Sequence, residues 1–152
     1  MKLGANEFNI LIYLLSKNEM SYKQAIEWAY DQYTEHGEDE FVEKVSLATD
    51  ASEIRELVAN AFQVYGEPSA EFLAGEVASK YSKGNCSLYE AISRVLFDLD
   101  LDLPETEKQE LYIAEDYFGW HDSPETKAYI HVEPIFKNYM PIYKSAIAKF
   151  GV

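Results

Sequence analysis

Three groups of residues carry side chains that do chemistry, and their spacing decides what each can do. His121 and Asp122 are adjacent, and His131 follows within the next stretch. An imidazole beside a carboxylate can ligate a divalent ion for hydrolysis, but such a site needs further ligands converging on the metal. His36 lies far upstream, no Asp follows Asp122, and His131 would be an improvised third ligand. The second group, Asp98, Asp100 and Asp102, fills the first, third and fifth places of a calcium loop. That loop needs Gly sixth for its sharp turn and Glu twelfth as a bidentate ligand. Leu103 and Gln109 stand there instead, and Pro104 stiffens the turn. A solvated acidic linker is the better reading. The third is Cys86, the sole cysteine, with no His or Arg beside it in sequence to lower its pKa. It reads as a small, half-buried residue ahead of a helix. There is no phosphate-cradling Gly loop, zinc-type Cys/His spacing, nucleophile elbow or paired metalloprotease histidines.

What remains is a stretch whose character is charge and aromaticity. From Phe97 to Asp122 it holds Asp98, Asp100, Asp102, Glu105, Glu107, Glu110, Glu115, Asp116 and Asp122 against one base, Lys108. Tyr112, Tyr117, Phe118 and Trp120 are set among them. Like charges packed this densely repel one another and do little for a free-standing fold. Acid beside large aromatics suits a docking surface for a basic protein.

The elements that must position these residues are helices. Phe8, Leu11, Ile12 and Leu15 share one face of a first helix capped near Asn6, and Ile10, Tyr13 and Leu14 widen that face. Ser21 with Gln24 forms a capping box for a second helix with a stripe of Tyr22, Ile26, Ala29, Tyr30 and Tyr33; Trp28 lies off the stripe, and Gly37 ends the helix. The acids Glu35, Glu38, Asp39, Glu40 and Glu43 suit the positive end of a third helix, which buries Phe41, Val42 and Val45. Asp50 and Glu53 open a fourth with Ile54, Leu57, Val58, Ala61, Phe62 and Tyr65 inward, closed by Gly66 and Pro68. A fifth runs from Ser69 to Lys83 with Phe72, Leu73, Val77 and Tyr81 inward and Gly84 at its end. A sixth starts at Ser87, with Glu90 as capping partner, and is lined by Leu88, Ala91, Ile92, Val95, Leu96 and Leu99. After an extended Asp-Leu-Asp-Leu-Pro link, Pro104 opens a seventh that buries Leu111, Ala114, Tyr117 and Phe118 and ends at Gly119. Tyr129 to Val132 reads as a short strand or loop. Pro134 opens a last helix through Phe150, kinked at Pro141. The fold class expected is all-α: one domain over residues 1–152, of about seven to eight helices packed as irregular antiparallel pairs.

The chain has 152 residues, 27 acids against 13 bases, and a formal net charge of -14. Phosphate backbones and anionic lipid would be repelled, and a cationic partner would be drawn in quickly and salt-sensitively. Phe8 to Leu15 is too short to span a membrane, and Ser16, Lys17, Asn18 and Glu19 follow it without a small-residue cleavage site. The lone thiol fits a reducing compartment. A cytoplasmic protein is expected.

The chain resembles the small acidic immunity proteins of bacterial toxin–immunity systems, including those of contact-dependent growth inhibition. The residues that carry the likeness are Asn6 to Phe62, with Ser-Tyr-Lys-Gln-Ala-Ile-Glu-Trp-Ala opening the second helix, and Leu111-Tyr-Ile-Ala-Glu-Asp-Tyr-Phe-Gly-Trp. The resemblance implies a cytoplasmic protein that binds and neutralises a cognate toxin domain, often a nuclease. It transfers no functional residue, because these families vary most at the binding face.

The function expected is therefore a non-enzymatic inhibitor of a basic toxin domain, with no metal, cofactor or direct nucleic-acid contact. Asp98, Asp100, Asp102, Glu105, Asp116 and Asp122 are its expected charges, presented where phosphates would lie. Tyr117 and Trp120 are its expected anchors, since buried aromatics dominate interface energy. Two alternatives stand beside it. One is an all-helical metal-dependent hydrolase using His121, Asp122 and His131. The other is an acidic nucleic-acid mimic acting on a host DNA-binding protein.

Overall fold

Apolar residues at three- and four-residue steps, punctuated by Ser, Pro and Gly, fold into helices throughout the computed structural model, which describes residues 4–33, 40–61 and 67–152. Among these residues are eight α-helices, one π-helical turn and no strand: α1 Ala5–Ser16, α2 Tyr22–Asp31, α3 Glu40–Ser46, α4 Ala51–Ala61, α5 Ala70–Ser82, α6 Leu88–Ser93, the π turn Arg94–Asp98, α7 Glu105–Trp120 and α8 Pro124–Ala148. The protein is all-α, as its periodicity predicts. No helix among the described residues is long and apolar enough to cross a membrane. The expected roles of Glu35, His36, Gly37, Glu38, Asp39, Phe62, Tyr65 and Gly66, and of the Ala61 side chain, lie outside the described residues.

Contacts divide the chain into two compact units, Met1–Pro68 with Ala146–Val152, and Ser69–Ser145. In the first, α2 packs on α3, α3 on α4 and α1 on α4. Its core holds Leu11, Leu14, Val42, Val45 and Ile54, each fully buried. The cap of α1 is Gly4 and not Asn6: the Gly4 amide donates to the Glu7 carboxylate at 3.1 Å. A glycine can cap because its backbone takes the extended turn without a side chain, while the acid three residues on supplies the acceptor. At the other end of α1, Arg55 of α4 donates to the Leu15 carbonyl at 3.4 Å, a cation where the helix dipole wants one. The Ser21–Gln24 capping box of α2 is present in both directions.

The buried face of α2 differs from the expected stripe. Ala25, Trp28 and Ala29 are buried, whereas Tyr30 and Tyr33 are exposed. Two alanines let the helix approach its neighbours closely, and the large ring between them fills the remaining space against Phe150, centroids 5.2 Å apart. The tyrosines can stay outside because their hydroxyls are satisfied there; that of Tyr33 bonds to Ser46 Oγ at 2.7 Å. In α3, Glu40 is held below the ordinary carboxylate range by its hydrogen bond and charge contact with Lys44, 2.8 Å away.

The second unit is built around Val77, Ala78, Leu88, Ile92, Val95, Leu111, Ala114, Ala128, Val132 and Phe136. Ser69 and Ser87 cap α5 and α6, each accepting from the amide three residues on. Gly84, at φ 76, takes the left-handed position that ends α5. Beyond α6 the helix widens: the Leu99 amide bonds to the Arg94 carbonyl five residues back, at 3.1 Å. The inserted residue keeps Val95 buried while Phe97 is turned out to solvent.

Residues 129–132 form neither strand nor loop, and Pro134 does not begin a helix. Both lie inside α8, which runs unbroken through Pro134 and Pro141. Ala128, Val132, Ile135 and Phe136 recur at helical spacing on its buried side, and that packing outweighs the β-branched character of Ile130 and Val132. Pro134 is itself exposed, and the carbonyl it leaves without a donor belongs to Ile130, at an exposed position where water can replace the lost bond. At the start of α7, Pro104 is the cap residue, and the helix continues one residue past Gly119, to Trp120.

Candidate partner-binding face

The acidic segment enters α7 at Glu105 and Glu107, at the positive end of the helix dipole. Leu111 and Ala114 are fully buried and fix the rotation of the helix. That rotation turns Glu105, Tyr112, Asp116 and Trp120, at steps of seven, four and four, onto one solvent-facing stripe. Trp120 is 86% exposed, the barest of the large apolar side chains among the described residues. An indole left in water to that extent contributes nothing to the core and is free to be buried by another molecule.

Other aromatics gather at the edges of the stripe. Phe97, turned out by the π turn, meets Tyr112 at 6.2 Å between centroids. Tyr89 of α6 meets Phe118 at 5.4 Å. A hollow of about 300 Å3 opens between them, lined by Tyr89, Glu115, Asp116, Phe118, Gly119 and Trp120. Aromatic faces rimmed by carboxylates thus make a shallow surface, with Asp98 exposed next to Phe97. Sequence reasoning missed Tyr89, an exposed position off the buried stripe of α6, and an off-stripe aromatic is the signal that would have found it.

The structure places the remaining expected residues elsewhere. Tyr117 is half-buried on another flank of α7, its ring 4.9 Å from that of His121 and 5.7 Å from that of His131. Asp102 lies toward α8, where burial first, then Glu107, Glu71 and Asp102, push the Tyr139 phenol up. Asp100 is exposed in the link before α7, and Asp122 in the joint before α8.

The histidines meet on Tyr117 rather than on a common ion site. His131 Nδ1 lies 2.5 Å from Glu110 Oε2, a bond between α8 and α7. His121 and Asp122 are exposed. Among the described residues no group of three or more His, Cys, Asp or Glu side chains is placed to hold a metal. Comparison of the chain with family models, with curated proteins and with solved structures finds no match.

Proposed function

We propose that this protein is an immunity-type inhibitor in the cytoplasm: it binds a basic toxin domain, of nuclease type, through the outer face of α7, and performs no catalysis of its own. The observation that carries this reading is Trp120, bare in water on a stripe with Glu105, Tyr112 and Asp116. A nuclease must attract phosphate and so presents lysine and arginine. Carboxylates held on a rigid helix can take the place of those phosphates, while the indole supplies the desolvated anchor that most tight interfaces need. A net charge of -14 speeds the encounter and makes it salt-sensitive. The π turn supports the same reading, since such turns are frequent at functional sites and this one delivers Phe97 to the surface.

The test is growth rescue. Cells expressing a candidate basic toxin domain of nuclease type should survive when the protein is present. Rescue should be lost when Glu105 and Asp116 are changed to Lys and Trp120 to Ala. Full rescue by that triple variant, at equal protein level, would remove α7 from the interface.

A further inference from the structure

A cavity of about 720 Å3 lies between α5, the turn after it and α8 from Glu125 to Met140, with no residue of α7 in its walls. That volume is in the range of small-molecule sites. Three rings, packed against one another at inclined angles, line part of this open space. Tyr81 stands 5.9 Å from Tyr129 and 6.1 Å from Phe136, centroid to centroid. Phe136 is buried and forms the floor, whereas Tyr129 is 38% exposed and Glu125 is exposed, so the mouth meets water.

The charges of the walls are equally defined. The Tyr81 hydroxyl donates to Glu125 Oε1 at 3.1 Å, which fixes the ring and leaves the second carboxylate oxygen available. Glu133 is paired with Lys137 at 2.7 Å, so the one lysine in the walls is already neutralised. Cys86 also lines the space, and burial followed by the charge of Glu90 pushes its thiol up. At neutral pH it is an uncharged wall and no nucleophile. The lining is therefore mixed, ring-faced on one side and in surplus by one negative charge. Phosphate and carboxylate ligands are repelled by it. The faces of aromatic rings carry negative potential and attract cations.

The geometry points to a binding site for an organic cation: an alkylammonium head group seated among Tyr81, Tyr129 and Phe136, with Glu125 as its counter-charge. This site stands whether or not α7 engages a toxin. The head group is either that of a free quaternary amine or the side chain of a lysine on another protein.

An NMR titration of the full chain tests it, following the amides of Gly84, Cys86 and Tyr129. The probes are choline, its uncharged isostere 3,3-dimethyl-1-butanol, and N-acetyl-lysine amide. Choline should shift these amides, and the isostere should bind about tenfold more weakly, the factor a partly desolvated cation–π contact of about 1.4 kcal/mol would give. Tyr129→Ala should weaken choline binding about fivefold or more, Glu125→Gln should weaken it too, and Tyr129→Phe should leave it nearly intact. Tyr129 and Glu125 are exposed, so these variants keep the fold, which the rest of the spectrum will report. Shifts with choline alone assign the site to free quaternary amines, and comparable shifts with N-acetyl-lysine amide assign it to a protein side chain. The inference is overturned if neither cation shifts these amides, if the isostere binds as well as choline, or if Tyr129→Ala has no effect.

Discussion

α5 and α7 belong to the same unit, yet they are surrounded by different things. Every residue of α5 from Phe72 to Ser79 is buried, including Glu76. In α7, a longer helix, only Leu111 and Ala114 are. The difference comes from side-chain size. α5 carries Ala74, Gly75, Ala78 and Ser79, and a backbone so thinly clad can be approached from all sides. At Gly75 the approach reaches its limit: a methyl there would stand 2.3 Å from the Tyr139 carbonyl oxygen and 2.7 Å from Tyr143 Cβ. α7 is clad in long acids and rings, meets the core along the seam of Leu111 and Ala114 with Tyr117 and Phe118 half-buried beside it, and leaves its outer face in solvent. Burial is concentrated in one helix, and exposed acid and aromatic surface in the other.

Truncating the packing around α5 should have the largest effect. Phe72 is 1% exposed and lies against Tyr143 at 5.2 Å. Phe72→Ala should cost about 4 kcal/mol in urea unfolding. A cost near that of a surface change would end the distinction between the two helices. Gly75→Ala should cost about 3 kcal/mol, because the atom it meets is backbone and cannot swing aside.

Trp120→Ala should leave unfolding within about 0.5 kcal/mol of the parent and, under the function proposed above, weaken toxin binding by about 2 kcal/mol. Loss of stability without loss of binding would reverse the roles assigned to α5 and α7. Gly119→Ala sharpens the contrast with Gly75. Nothing lies within 4 Å of a methyl there and its φ is not positive, so the same substitution should stabilise α7 by about 0.5 kcal/mol.

The smallest effect concerns Tyr81. Burial, and then its bond to Glu125, raise its phenol from 10.0 to about 12. The folded state holds this proton more tightly than the unfolded chain. Its contribution is therefore complete below pH 10 and is lost as pH climbs toward 12. Tyr81→Phe should flatten the fall in urea midpoint across that window. An unchanged slope would show that neither burial nor Glu125 raises the phenol.

Much of this architecture was legible in the residues, for a local reason. Ser21, Ser69, Ser87 and Gly84 act on atoms three or four residues away, so their spacing alone announces helix ends. The seam of α7, Leu111 and Ala114, was legible by the same periodicity. What failed depended on distant partners. Periodicity favours Tyr30 over Trp28, because it does not show that Phe150 covers Trp28 while Tyr30 stays more than half exposed beside Tyr33. Tyr-Ile-His-Val at 129–132 looks extended in isolation and is helical because Ala128, Val132 and Phe136 close on a core assembled from elsewhere. The all-round burial of α5 was hidden by Glu71, Glu76 and Lys80, which imitate a solvent face. Of the expected binding residues, Glu105, Asp116 and Trp120 share a stripe because they share a helix. Tyr117 departs from them by one step of rotation, and the acids outside α7 have no such period to join them.

The wide turn at Arg94–Asp98 also fixes chain length. An α-helix advances about 100° per residue, so deleting one residue there would carry Phe97 and Asp98 around toward the core and draw Tyr112's neighbour away from it. The contact between Phe97 and Tyr112 is thus a matter of reading frame within the helix, and an insertion or deletion in this segment would part the two rings and displace Asp98 at the same time.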